Sequence, residues 1–181
     1  MRAVIMLCCM FGLTTVAAQE EFTLERKSDS LFVVRLGSDG WTLPFPVYRF
    51  QTADVDGDGS TDAIVGVTKT TRYDPELRRR VFIFKNYRGH VRPLWLGSRL
   101  GQPVADFRFM PSRGVLRVME HERSGLFLVA DYRWCSFGME FVSYLGREMT
   151  EDEARQKVFG TTEDDSQPPP DNARAVSPSF P

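Results

Sequence analysis

The sequence predicts an all-β fold of antiparallel, blade-like sheets, built as a truncated propeller-like stack or a compact sandwich, with one short C-terminal helix. Three observations predict it. Apolar runs are short, rich in Val, Ile, Phe and Tyr, and bounded by Gly, Asp, Asn and Pro clusters, the signature of strands joined by turns. The runs recur in a similar order along the chain. A single helix start signal stands near the end, at Thr150.

The elements follow in order. Phe22 and Leu24 mark a first strand. Leu31 to Leu36 is a second, closed by Gly37-Ser38-Asp39-Gly40, with Trp41 packing on its sheet. Pro44 and Pro46 interrupt the next apolar residues and suit an edge or a loop. Val47 to Val55 forms a strand that enters an acidic loop, and Ala63 to Thr68 leaves it. Lys69 to Arg80 reads as a charged hairpin connection, its Arg78-Arg79-Arg80 run a solvated rim. Val81 to Phe84 is a strand, Asn86 to Gly89 a turn, and Val91 to Leu96 another strand.

A second unit begins at Pro103. Val104 to Phe109 resembles Val47 to Phe50, Pro111 to Gly114 replaces the acidic loop, Val115 to Met119 answers Ala63 to Val67, and Leu126 to Val129 answers Val81 to Phe84. Met139 to Leu145 completes it. The pattern divides residues 19–160 into two degenerate four-stranded repeats, about 44–97 and 103–146, preceded by a partial one. Two units are too few to close a propeller. The sheets are therefore expected to pack face to face, with terminal segments covering the outer faces. Thr150 and Glu153 make a capping box, Ala154, Val158 and Phe159 an apolar stripe, and Gly160 the stop.

The termini read differently. Met1-Arg2, an apolar run from Ala3 to Leu13 and Val16-Ala17-Ala18 form a signal peptide over residues 1–18, with cleavage near Ala18. The expected destination is secreted, periplasmic or extracellular, with no stable transmembrane segment in the mature chain. That cleavage leaves Cys135 as the sole cysteine, read as a semi-buried strand thiol with no disulfide partner. Residues 161–181, around Pro168-Pro169-Pro170, lack the apolar content to pack and read as a disordered Pro/Ser-rich tail.

The most informative residues are Asp54 to Asp62, D-V-D-G-D-G-S-T-D. Asp54, Asp56, Asp58 and Asp62 are spaced so that their carboxylates can converge, and Gly57 and Gly59 permit the tight loop this needs. Ser60, at the seventh position, can offer its backbone carbonyl. Converging hard oxygens suit Ca²⁺, which relieves the repulsion among the carboxylates. This is no EF-hand: Val65 stands where that loop needs a Glu, and a strand follows instead of a helix. The plainer alternative is an Asp/Gly hairpin turn that holds no metal.

Residues 53–67, ADVDGDGSTDAIVGV, resemble the calcium-binding repeat of the FG-GAP/VCBS family, found in integrin-type β-propellers. The resemblance implies a structural Ca²⁺ between the first two strands of a blade, held by Asp54, Asp56, Asp58 and Asp62 and by the carbonyl of Ser60. The residues before the loop, Pro46 to Phe50, lack the FG-GAP signature.

A net charge of −1 argues against nucleic-acid binding. No GxSxG, HExxH or phosphate-cradling glycine loop occurs. His90 falls in a turn, while Glu120, His121 and Glu122 could serve a metal only if another loop approached. Asp106, Glu120 and Asp131 are further strand carboxylates. Tyr132 and Trp134 either pack in the core or line a binding surface. The resulting expectation is a secreted, calcium-stabilised, non-enzymatic β-module for macromolecular binding or surface assembly, with a protein or glycan partner. The alternative is a hydrolase of unfamiliar type acting on a glycan or peptide, which requires convergent ionisable groups in a cleft away from the acidic loop.

Overall fold

The computed structural model describes residues 21–160, apart from residues 73, 98 and 99. The signal-peptide and tail readings lie outside the described residues. The fold is all-β and antiparallel, with one C-terminal helix. Strands β1 (Phe22–Ser28), β2 (Leu31–Leu36) and β3 (Asp39–Leu43) form a three-stranded sheet. The second sheet holds two meanders. The first is β4 (Val47–Ala53), β5 (Asp62–Thr71), β6 (Asp74–Tyr87) and β7 (His90–Leu96). The second is β8 (Val104–Met110), β9 (Val115–His121), β10 (Phe127–Cys135) and β11 (Gly138–Met149). One backbone pair, Arg79 with Val104, joins them. Helix α1 spans Glu151–Phe159.

Strand alternation sends each strand's apolar residues to two faces, and this builds a stack of layers. On β5, Ala63, Val65 and Val67 face the three-stranded sheet, where they meet Phe22, Phe32, Val34, Leu36 and Leu43. Ile64 and, on β6, Val81 and Ile83 face the second meander, packing with Phe107, Leu116, Val118, Leu128 and Ala130. The opposite face of that meander, through Ala105, Met119 and Val129, is covered by Ala154 and Val158 of α1. The order is sheet, meander, meander, helix. The three-stranded sheet thus covers one outer face and the helix the other.

Gly66 shows why the middle interface closes. A Cβ there would lie 2.6 Å from Tyr48 and 2.9 Å from Phe107, so the glycine makes room for two rings between the meanders. Polar latches hold the same seam. Arg49 grips Asp106 with both ends of its guanidinium at 2.5 and 2.6 Å, and the Phe109 N–H donates to Gln51 Oε1 at 3.0 Å.

The helix is held at both ends. The Glu153 N–H donates to Thr150 Oγ1, and Glu153 accepts in return from the Thr150 N–H, so the capping box forms. At the C-terminus, Arg108 donates to the Phe159 carbonyl and Arg117 to that of Lys157, the end where cations are favoured. Gly160 ends the helix with an extended φ of −66°, and not in the left-handed conformation. Its glycine is required by closeness: a Cβ would stand 2.4 Å from the Gln156 carbonyl oxygen.

Two readings need correction. Lys69 to Arg80 is ladder for most of its length, because β5 and β6 run on to the Thr71–Asp74 pair. The charges that suggested a loop pair along the ribbon, with Asp74 accepting from Arg80 at 2.8 Å and lying 3.5 Å from Arg78. Cys135, at the last position of β10, is exposed rather than semi-buried.

Candidate functional site

The acidic loop lies between β4 and β5, and its own backbone shapes it. Asp54 accepts from the Gly57 N–H at 2.8 Å and the Gly59 N–H at 2.9 Å. Asp56 accepts from the Asp58 N–H, and Asp58 from the Ser60 N–H at 2.8 Å. Gly57 and Gly59 adopt φ of 75° and 84°, which side-chain-bearing residues rarely take. The loop therefore turns its carboxylates inward, and oxygens of Asp54, Asp56 and Asp58 lie within 4.8 Å of one another.

Asp62 lies apart from that trio, at the first position of β5 and fully buried. Its Oδ2 accepts from the Val55 N–H at 3.0 Å, while Oδ1 has no hydrogen-bond partner. Burial pushes its carboxyl up to about 7, and the charges of Asp56 and Asp58 add to the rise. An orphaned buried carboxylate oxygen beside two more carboxylates fits a cation, since an unsatisfied acceptor is costly without one. The all-oxygen donor set suits a hard ion such as Ca²⁺. Ser60 sits at the loop's end, where its N–H is committed to Asp58.

Lys85 of β6 was not singled out by the sequence. Its ammonium donates to Asp56 Oδ2 at 2.7 Å and Asp58 Oδ2 at 2.9 Å. The hydrogen bonds to Asp56 and then Asp58 raise the Lys85 pKa, and Lys85 in turn lowers that of Asp58. The signal was in the pairing: Ala63 opposes Phe84, so one residue further on each strand brings Lys85 level with Asp62.

Beside the loop runs a groove of about 490 Å³, lined by Asp54, Asp56, Gly57, Pro111, Arg133 and Trp134 among others. It forms because the β4–β5 loop, the β8–β9 turn and the end of β10 lie at the same end of the stack. Arg133 also lines the groove, while its Nη2 is buried with no hydrogen-bond partner. Phe137, in the β10–β11 turn, is 90% exposed, and Tyr87, just before the β6–β7 turn, is exposed as well. Trp134 is half-buried and lines this groove, whereas Tyr132 is core.

The other candidate groups separate. Glu120 is fully buried and faces the inter-meander seam, accepting from Tyr132 Oη at 2.9 Å and the Gln102 N–H at 3.1 Å. Burial pushes its carboxyl up to about 7. His121 packs on the Phe127 ring, and Glu122 is taken by Arg147 and the Glu148 N–H. No common site joins Glu120, His121 and Glu122. Asp106 belongs to Arg49, and Asp131 forms a buried pair with Arg117 at 2.9 Å. His90 lies 3.5 Å from Asp39.

Fold and site together define an all-β module of stacked antiparallel sheets with an acidic loop at one end. No family model, curated protein or solved structure matches the chain. Among the described residues no helix is long and apolar enough to cross a membrane.

Proposed function

We propose that the chain is a secreted, non-enzymatic β-module, stabilised by Ca²⁺ in the acidic loop, that binds a glycan at the loop end. Secretion rests on the signal-peptide pattern of residues 1–18, and kinship with FG-GAP/VCBS repeats on residues 53–67. Asp54, Asp56, Asp58 and Asp62 are the ligands in this reading, with the Ser60 carbonyl. The orphaned Asp62 Oδ1 supports a cation at the loop. Calcium would supply charge neutralisation there and tie β4 to β5, in an affinity range of about 10⁻⁴–10⁻³ M as in extracellular modules.

The observation that carries the binding reading is the groove. It sets the Trp134 indole and the loop carboxylates within one concavity, with Arg133 next to Trp134 in its lining. An aromatic face with a few convergent polar groups suits a sugar ring and its hydroxyls. The test is a glycan array probed with wild type and with Trp134→Ala and Arg133→Ala. Retention of specific glycans by wild type, lost in both variants, is the expected result. Capture of a protein ligand alone, or binding indifferent to both substitutions, would reject the glycan reading.

The hydrolase alternative has one residue pair to recommend it, Glu120 with Tyr132, both with raised proton affinities and buried away from the loop. Yet both Glu120 oxygens are already engaged and the residue is sealed from solvent. A general acid needs reach to a substrate, and the pair is better suited to holding the backbone at Gly101 and Gln102.

A further inference from the structure

Lys85 occupies the position a metal would neutralise. Its ammonium stands between Asp56 Oδ2 and Asp58 Oδ2, and its side chain is 23% exposed, so the stem is packed and the head committed. These are the same carboxylates that, with Asp54, bring oxygens within 4.8 Å of one another. An ammonium and a divalent ion cannot both hold the two oxygens, because like charges at such separations repel strongly. A second observation points to a ligand at this place beyond the lysine. Asp62 Oδ1, fully buried at the start of β5 where the acidic loop ends, is left without a partner while Lys85 serves Asp56 and Asp58.

We infer that Lys85 is a built-in competitor for the calcium site: its ammonium holds the acidic loop together when calcium is scarce and is displaced from Asp56 and Asp58 when calcium binds. This rests on the calcium reading above and goes beyond it. The loop becomes a calcium-responsive element rather than one that needs metal to fold. Lys85 sets the calcium concentration at which it responds, because every binding event must first break two charge-assisted hydrogen bonds. Displacement also returns a positive charge to the surface at the loop end, beside the groove that Asp54 and Asp56 line.

The experiment is a calcium titration of wild type and Lys85→Met against a chromophoric chelator, with far-UV circular dichroism to check the fold. Met keeps the apolar stem and removes the charge. The expected result is tighter Ca²⁺ binding by the variant, by roughly five- to tenfold, the size of one or two exposed ion pairs. A lower melting temperature is expected for the variant without calcium, with the gap closing when calcium is added. Equal or weaker affinity in Lys85→Met overturns the inference and leaves the calcium reading standing. No binding by either protein overturns both. Wild type supplies a check that needs no variant: the NMR resonances of the Lys85 εCH₂ group shift on adding calcium if the ammonium is displaced. Their constancy through saturation contradicts the inference.

Discussion

At the scale of single residues, the clearest consequence is a dependence on pH. Glu120 holds its proton up to about 7 in the folded protein, against an ordinary 4.5. Between these values the folded chain binds a proton that the unfolded chain has released. Stability therefore falls as pH rises from about 4.5 to about 7 and levels off above, by an amount on the order of 3 kcal/mol from this group. Glu120→Gln removes the slope, because an amide keeps the bond with Tyr132 and carries no charge. Urea unfolding of both proteins across this pH range measures it, and parallel curves would show that Glu120 does not titrate as described. Asp62 slopes the same way without metal, so the difference between the two proteins isolates Glu120. Gly66→Ala is the steric counterpart. Its methyl meets Tyr48 and Phe107 inside ordinary contact distance, and a cost of about 1–3 kcal/mol is expected by denaturant unfolding. Of these residues the sequence displayed the loop carboxylates but hid their partners. Spacing alone shows that Asp54, Asp56 and Asp58 can converge. That Lys85 meets them, or that Glu120 lies under Tyr132, depends on cross-strand register, which one chain's pattern does not fix.

At the scale of elements, the capping box was legible because its signal is local: Thr150, three residues and Glu153. Thr150→Ala should cost about 1 kcal/mol, read as an earlier urea midpoint with unchanged slope. A null effect would mean α1 is held by its packing alone. The β5–β6 ribbon was harder to read. Alternation of charged residues between Lys69 and Arg80 looks like a loop until Asp74 is seen to accept from Arg80 further along the same strand, β6. The arginines of β8 and β9 teach the same lesson. Arg108 and Arg117 are paired neighbours on the sheet. Their use, binding carbonyls at the end of α1, belongs to a helix far along the chain. Asp131→Ala deprives Arg117 of its buried partner and should cost about 3–5 kcal/mol, measured by the same unfolding experiment.

At the scale of the whole molecule, the all-β antiparallel class with its one helix was legible because short apolar runs and turn clusters carry it. The layering was less so. Which face of β5 meets the three-stranded sheet and which meets β8–β10 follows from Ala63, Val65 and Val67 alternating with Ile64 and Gly66. Both faces are apolar, so alternation gave no polarity to read. The groove by Trp134 was out of reach of the sequence, since it arises where three distant connections meet at one end of the stack. Calcium on the acidic loop at this end is the central proposal. Isothermal calorimetry of wild type, Asp56→Ala and Asp58→Ala with Ca²⁺ tests it most directly. One saturable site in wild type, lost or strongly weakened in both variants, is the expected result. Metal-free wild type that takes up no calcium, or variants that bind as wild type does, would contradict it.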